Sequence, residues 1–184
     1  MKRSLLVVIA VLLLIASPVM AKEGFYLGAF VPSETISGDA GTYVDSGTGW
    51  GLRAGVGFNR YLAIETHYST TRHDVNVPGA PSFAFDLKSL AGDVKINFPL
   101  TTLDSAQIMS LEPYIMAGYA HYESSASGSP KSNGFQWGFG IELYLFRELS
   151  VQAGWTKSTI SYDTTPKIDG DVKTVDFGLT YHFI

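Results

Sequence analysis

The chain has 184 residues, of which 46% are hydrophobic, and it contains no cysteine. This length allows one domain or one small barrel, and the lack of cysteine excludes disulfides and the lipid anchor of a lipoprotein. Removing Lys2 and Arg3 with a predicted signal peptide leaves 11 of the 13 basic residues against 17 acidic ones, a net charge of about −6. Because phosphate backbones need a basic face, we expect no nucleic acid partner.

The first 21 residues have the parts of a secretory signal peptide. A basic start is followed by an apolar run over residues 5–16 and by small residues before a cut after Ala21. The run is too short for a helix that crosses a bilayer, which needs about 20 apolar residues. We therefore expect residues 1–21 to be a cleaved signal peptide and residues 22–184 to form one domain.

Eight segments of this domain alternate apolar and polar residues with the period of two that is typical of strands. They cover residues 24–32, 49–59, 61–70, 84–98, 112–123, 134–146, 148–159 and 172–183. Short connections, at Asn59-Arg60 and Arg147-Glu148, differ from the long polar ones at 33–48, 71–83, 124–133 and 160–171. The stretch 99–111 is predicted as a long periplasmic turn. Short turns at one end and long loops at the other are typical of outer-membrane barrels.

The strand segments have one face without charges and one face that carries them. The charged face contains Arg53, Glu65, His67, Asp93, Lys95, Glu142 and Asp176, together with many glycines. Glycine weakens a water-exposed sheet, but it makes room inside a narrow barrel, where side chains converge. We therefore predict an all-β fold, an eight-stranded antiparallel up-and-down transmembrane β-barrel, with these residues as a polar network in the lumen and the apolar face towards lipid.

Aromatic residues near both ends of the apolar face predict two membrane-interface belts. The main interface aromatics are Trp50, Tyr61, Tyr68, Trp137 and Trp155, and Tyr114 and Tyr122 are also assigned to the belts. The alternative is a secreted soluble barrel of lipocalin type, which would need its charges outside and its large apolar residues inside.

Two features of the pattern are irregular. The segments 24–32 and 112–123 are apolar on both faces or nearly so, and their inward and outward sides stay open. Phe85 and Leu87 have the opposite parity to Leu90 further along the same segment, which predicts a β-bulge around Lys88 or Ser89.

Four stretches carry a resemblance that covers the whole chain after the signal peptide: GFYLGAF, GVGFNRYLAIE, EPYIMAGYAHY and FGLTYHF. The chain resembles the small outer-membrane β-barrel proteins, which include the opacity proteins and the OmpA and OmpX transmembrane barrels. The resemblance implies the outer membrane of a Gram-negative-type bacterium, with outer-membrane lipid and lipopolysaccharide as partners. It also implies that the barrel-assembly machinery reads Tyr181 and Phe183 as an assembly signal. These patterns specify a fold family and not an activity.

The charged lumen residues have two interpretations. Unpaired ions in a narrow lumen are costly, so we expect Arg53 and Lys95 to pair with the four carboxylates. The network is then either a polar plug that fixes the strand register or a gate whose ion pairs rearrange to open a pore. Eight strands leave little interior space, which favours the plug.

His67 and Ser69 raise the alternative of an enzyme, because a His-x-Ser pair with a carboxylate resembles the esterase group of lipid A deacylases. Both residues share the inward parity of Glu65, however, and no GxSxG motif is present. The four histidines match no metal-ligand spacing. We predict no catalytic residue, no metal and no cofactor.

The long polar segments carry several acidic residues and no strong basic patch, and nothing in them names a ligand. The predicted function is non-enzymatic: structural support of the outer membrane and surface interaction, with an unknown ligand, through extracellular loops above a plugged lumen. The alternatives are a narrow porin-like conduit for small solutes and, with less support, a lipid A acyl-ester hydrolase.

Overall fold

The chain folds into a closed antiparallel barrel of eight strands in chain order, with the first strand paired to the last. A computed structural model describes residues 24–38, 41–100, 110–125, 131–162 and 168–183. The strands are β1 (Gly24–Gly38), β2 (Gly47–Gly57), β3 (Leu62–Val75), β4 (Phe83–Asn97), β5 (Ser110–Ser124), β6 (Lys131–Tyr144), β7 (Leu149–Tyr162) and β8 (Ile168–His182). The predicted eight-stranded up-and-down barrel is confirmed. The predicted signal peptide and most of the predicted turn 99–111 lie outside the described residues. No helix among the described residues is long and apolar enough to cross a membrane.

Two short turns lie at the end where β1 begins and β8 ends, which we call the base. In the β2–β3 turn, the side-chain oxygen of Asn59 accepts hydrogen bonds from the backbone N–H groups of Tyr61 (2.8 Å) and Leu62 (2.9 Å). The Asn59 side chain thus replaces a backbone carbonyl as hydrogen-bond acceptor and stabilises the turn. In the β6–β7 turn, the backbone N–H of Leu145 donates to the carbonyl of Leu149 at 2.9 Å. Both predicted short connections are confirmed.

At the opposite end, the rim, the strands run further than the sequence predicts. β1 continues to Gly38 and β3 to Val75, and β8 begins at Ile168. The predicted loops 33–48, 71–83, 124–133 and 160–171 are shorter for this reason. Their polar sequences stay in the ladder because neighbouring strands supply backbone partners, so that context overrides strand propensity.

Towards the rim, the two faces of the strands exchange polarity: the inward face becomes apolar and the outward face becomes polar, while the direction of the side chains continues unchanged. On β4, Leu90 points outward and Asp93 points inward, whereas nearer the rim Lys88 points outward and Leu87 points inward. The pairing of β3 with β4 is continuous along the whole of both strands. The predicted bulge around Lys88 or Ser89 is therefore wrong. The hydrophobic pattern changes phase because the strand leaves the apolar band and has water rather than lipid on its outer side.

An apolar cluster, which we call the cap, fills the lumen near the rim. It consists of Ile36, Leu87, Ala91, Ala120, Tyr122, Ile160 and Val172, with Val44 and Phe85 packed against it. These residues come from five strands and the β1–β2 connection. Burying a large aliphatic side chain contributes about 1.5–3 kcal/mol, so the cap stabilises the part of the barrel beyond the apolar band.

Strands β1 and β5, whose facing the sequence leaves open, turn their even-numbered residues inward. Tyr26 on β1 and Tyr114 and Tyr122 on β5 are buried in the lumen. The assignment of Tyr114 and Tyr122 to the aromatic belts is therefore wrong. Residues 113–120 of β5 are apolar on both faces, and a tyrosine suits a lipid interface as well as a hydrogen-bonded interior, so alternation alone could not separate the two.

Candidate functional site in the lumen and at the rim

All seven predicted lumen residues point into the barrel, and the structure brings them into connected groups. Six of them are buried, and the side chain of His67 is 15% exposed. The seven are Arg53, Glu65, His67, Asp93, Lys95, Glu142 and Asp176.

Arg53 forms the first group. Its guanidinium donates to the Asp176 carboxylate at 2.5 Å and lies 3.8 Å from Glu65. The guanidinium carbon lies 4.5 Å from the centroid of the Phe30 ring, a cation–π arrangement. Between Arg53 and Asp176, β1 has Gly28, where an added Cβ would meet the Arg53 side chain at 2.9 Å. The missing side chain therefore lets an ion pair form across an intervening strand.

Lys95 forms the second group, nearer the base. Its ammonium lies 2.9 Å from Glu142 and 3.8 Å from Glu65. Glu142 also accepts a hydrogen bond from Ser150 at 2.6 Å and lies 3.1 Å from His182. Glu65 therefore lies between two cations, each of which has a closer carboxylate of its own.

His67 and Asp93 form the third group. His67 Nδ1 lies 3.4 Å from Asp93, and the Gln136 amide donates to both oxygens of that carboxylate at 2.9 and 2.8 Å. The hydroxyl of Ser69 lies 2.7 Å from that of Ser89, with no hydrogen bond to His67. A nucleophile paired with a base is therefore not assembled at His67 and Ser69, and both residues face away from lipid.

A further polar group ties the β1–β2 connection to the barrel wall. The fully buried His73 donates from Nδ1 to the backbone carbonyl of Asp45 at 3.0 Å. Its other ring nitrogen lies 3.1 Å from the Thr71 hydroxyl, which donates to Glu34 at 2.6 Å. The Asp45 side chain accepts from the Asn76 amide at 2.7 Å. These bonds hold the β1–β2 connection against the end of β3.

Two lumen tyrosines belong to the network although sequence reasoning missed them. The Tyr26 hydroxyl donates to Glu65 at 3.0 Å, and the Tyr114 hydroxyl accepts from Gln152 at 2.7 Å. Each ring fills the space left by a glycine directly across the ladder, Tyr26 facing Gly55 and Tyr114 facing Gly140. Glycines at inward positions were the available signal, since each one marks room for a large side chain beside it.

Two small cavities lie in the lumen among the described residues. A cavity of about 20 Å³ is lined by His67, Gln152 and other groups on the rim side of Arg53. A second, of about 10 Å³, is lined by Lys95, Glu142 and His182 towards the base. The first has room for one or two water molecules, and the second for one at most. Among the described residues, no group of three or more His, Asp or Glu side chains could hold a metal ion; the absence of a metal in the whole chain stays a prediction.

The five main predicted interface aromatics, Trp50, Tyr61, Tyr68, Trp137 and Trp155, lie on the outer wall. Towards the rim, Trp50 lies 5.9 Å from Tyr68, and Trp137 lies 5.2 Å from Trp155, measured between ring centroids. Tyr61 is exposed in the β2–β3 turn at the base. The outer wall thus has aromatic rings at both ends of its apolar band.

The predicted assembly signal lies where the barrel closes. The Phe183 backbone N–H donates to the carbonyl of Phe25 at 2.9 Å, and its ring packs on those of Phe25 (5.6 Å) and Tyr181 (5.0 Å). Recognition of Tyr181 and Phe183 by assembly machinery stays a prediction.

The rim carries exposed apolar side chains. Tyr43, Val77 and Phe83 are exposed on the β1–β2 connection, the β3–β4 connection and the first residue of β4. Val44 bridges to Val75, and the backbone N–H of Asn76 donates to the carbonyl of Tyr43 at 2.9 Å. We call Tyr43, Val77 and Phe83 the rim patch. Because of these bonds, the patch lies on a backbone that is fixed to the barrel.

Comparisons with known proteins agree with this architecture. Solved barrels similar to the chain include neisserial surface protein A (19% identity, TM-score 0.63, 88% of this chain and 98% of that one). Another is Ail, the attachment invasion locus protein of Yersinia pestis, in complex with the heparin analogue sucrose octasulfate (17% identity, TM-score 0.56, 88% of this chain and 99% of that one). A third is OprG of Pseudomonas aeruginosa (17% identity, TM-score 0.54, 88% of this chain and 97% of that one). Among curated protein sequences no match is found. The family model described as the outer membrane protein beta-barrel domain matches residues 7–183. The chain belongs to this family of outer-membrane β-barrels.

Proposed function

We propose that the chain is a non-enzymatic surface-interaction protein that also supports the outer membrane structurally. The main support is that the strands continue beyond the apolar band, surround the cap and end at the rim patch. In the predicted orientation, with the base in the periplasm, the patch lies outside the cell. Exposed apolar groups on a fixed backbone favour binding to a protein surface, because little conformational entropy is lost on contact.

Ail shows that a barrel of this fold can serve in attachment, as its name states. The similarity covers the fold alone, so the ligand of this chain is a separate question. The rim patch is apolar, and of the charged residues beside it Asp45, Asp74 and Asp86 are acidic and Arg72 is basic. This chemistry fits a protein partner with apolar and basic groups better than it fits an anionic polysaccharide.

Adhesion of bacteria that express the full chain tests the proposal. The probes are wells coated with fibronectin, laminin or heparin, and a lawn of isogenic cells without the protein. We expect adhesion to one of the protein or cell coats, and its loss when Tyr43, Val77 and Phe83 are all changed to Ser. Thr159→Ala, on the outer wall, is the control and should adhere like wild type. Adhesion that survives the triple change, or that occurs only on heparin, contradicts the proposal.

A narrow conduit is the second candidate, and the position of Glu65 favours it. Glu65 lies at 3.8 Å from both Arg53 and Lys95, so either cation could exchange partners without being left alone. The cap and the small cavities oppose a continuous path. Planar-bilayer recording separates the two: a plugged barrel gives no steady unitary steps, whereas a conduit gives steps that charge reversal at Arg53 or Glu142 alters.

Lipid A hydrolysis is the third candidate and has the least support, because Ser69 is bonded to Ser89 and faces inward. Mass spectra of lipid A from expressing cells test it directly. We expect no acyl chain to be lost. A loss that disappears in His67→Ala would establish the enzyme instead.

A further inference from the structure

Three buried side chains near the end of β3 form one hydrogen-bonded chain, which we call the triad: Glu34, Thr71 and His73. They are 2%, 1% and 0% exposed. The Thr71 hydroxyl lies in the middle, 2.6 Å from Glu34 Oε2 and 3.1 Å from His73 Nε2. His73 Nδ1 lies 3.0 Å from the backbone carbonyl of Asp45 in the β1–β2 connection. The triad therefore joins this connection to the barrel wall.

The number of hydrogens in the triad follows from its contacts. The Asp45 carbonyl can only accept, so Nδ1 of His73 carries a hydrogen and donates it. The Thr71 hydroxyl has one hydrogen, which serves either Glu34 or Nε2 of His73, but not both. If it goes to Glu34, Nε2 must carry a hydrogen and His73 is charged. If it goes to His73, the Glu34 carboxyl must be protonated.

Either arrangement needs one proton more than an ionised Glu34 beside a neutral His73. The Thr71 hydroxyl also lies 3.4 Å from the Leu87 carbonyl, but a hydrogen bond to that carbonyl would raise the requirement to two protons. Without the extra proton, two acceptors face each other with no hydrogen between them. A buried acceptor without a donor is costly, so the contacts of the triad depend on that proton.

The side chains packed directly against the triad carry no charge. Gly47 packs on the His73 ring, where an added Cβ would lie 2.7 Å from Nδ1, and the ring of Phe85 on β4 stacks on it at 5.4 Å. On β8, the Thr174 hydroxyl donates to Glu34 at 3.5 Å. Uncharged groups therefore surround both ends of the triad.

The charged groups nearest to the triad point away from it or pair elsewhere. Those on the outer side are Asp45, Arg72, Asp74 and Asp86. Towards the base, a cavity of about 20 Å³ lies between Glu34 and the lumen ion pairs, which involve Arg53, Glu65, His67 and Asp176. Among the described residues, His73 is therefore the only cation that pairs with Glu34, at 3.7 Å.

We propose that one proton shared by the triad locks the β1–β2 connection onto the end of β3, and that loss of this proton at alkaline pH releases the connection. A free glutamate and a free histidine together hold such a proton only below about pH 6.5. Because the locked form binds a proton that the released form loses, the lock is complete below this pH and weakens as the pH rises above it. The lock rests on the triad alone and is independent of binding at the rim patch.

A spin label on the β1–β2 connection measures its order. The chain has no cysteine, so Tyr43→Cys gives one labelling site on the connection. Lys131→Cys places the same label at the start of β6, also near the rim, and is the control position. EPR spectra of the full chain in phosphatidylcholine nanodiscs at pH 6 and pH 9 give the ratio of immobile to mobile label. Heat-modifiable migration on gels checks that each variant is folded.

We expect the ratio of immobile to mobile label at Tyr43→Cys to fall about tenfold from pH 6 to pH 9, the effect of about one hydrogen bond. Glu34→Gln supplies the missing hydrogen permanently, because its amide donates to Thr71 and Thr71 then donates to a neutral His73. In this variant the label should be immobile at both pH values. His73→Phe removes both ring nitrogens and should abolish the pH response.

The matched control variant is Glu123→Gln, the same change at an exposed glutamate that pairs with Lys131. It should leave the pH response at Tyr43→Cys unchanged. A label at Tyr43→Cys that is equally immobile at pH 6 and pH 9 overturns the proposal. An unchanged pH response in Glu34→Gln or in His73→Phe overturns it as well, and so does an equal response at Lys131→Cys, which would mean that the whole rim loosens.

Discussion

Removal of the Arg53 guanidinium tests whether the lumen charges are buried and mutually dependent. Arg53→Met keeps an apolar stem beside Phe30 but leaves Asp176, which lies 2.5 Å from the guanidinium, without its cation. Breaking a buried ion pair by removing one partner costs about 3–5 kcal/mol, because the remaining charge stays desolvated. The side chains of Arg53 and Asp176 are 3% and 10% exposed, so we expect a loss in this range in the free energy of unfolding.

Urea unfolding in phosphatidylcholine vesicles, followed by tryptophan fluorescence, measures this loss. A double-mutant cycle with Asp176→Asn should show a coupling energy of about 2 kcal/mol or more, because the double variant leaves no unpaired charge. The control cycle uses Lys131 and Glu123, which are 3.2 Å apart with side chains 59% and 43% exposed. Exposed pairs couple by about 1 kcal/mol or less. Equal coupling in the two cycles would mean that water solvates the lumen charges, and the plug would be refuted.

Three further predictions concern the inner and outer walls. Gly140→Ala should lower the free energy of unfolding by about 1–3 kcal/mol, because its Cβ would collide with the facing strand and the Tyr114 hydroxyl. At the outward Gly92 an added Cβ meets nothing within 4 Å, so Gly92→Ala should be neutral, and equal losses in the two variants would contradict this packing. Leu87→Asp should abolish the heat-modifiable folded band on gels and Lys88→Asp should keep it, because only the first residue lies in the cap; a folded Leu87→Asp barrel would mean that the cap is open to water. Phe183→Ala should reduce the amount of folded barrel in cell envelopes while leaving unassisted refolding in detergent intact, and an unchanged amount would remove this residue from the assembly signal.

Alternation on six strands was sufficient to predict the barrel and the direction of its charged residues. Neighbouring residues of a strand face lipid and lumen in turn, so apolar and polar residues alternate. Leu52, which faces lipid, is apolar, and Arg53, which faces the lumen, is charged. The same reasoning could not find Tyr26 or Tyr114. An aromatic ring satisfies either side, and only the register, which puts each of them opposite a glycine, reveals its place.

The error on β4 has an instructive cause. A change of hydrophobic parity has two physical origins: an extra residue in the strand, or a change of solvent along it. The sequence stretch from Phe85 to Leu90 is compatible with both, because neither origin alters the residues themselves. Only the continuous pairing of β3 with β4 decides for the change of solvent. The extent of the rim strands was missed for a related reason, since their polar outward residues look like loop.

The cap also has a consequence for the order of assembly. Ile36 and Val172 face each other across the junction of the first and last strands, far from the base. Other members of the cap, Leu87, Ala91, Ala120 and Tyr122, belong to β4 and β5 in the middle of the chain, so the whole cluster cannot form while the ring is still an open sheet. Closure of the barrel and exclusion of water from its rim end must therefore happen together. A barrel in which β1 and β8 are paired only near the base would still expose the apolar side chains of the cap to water.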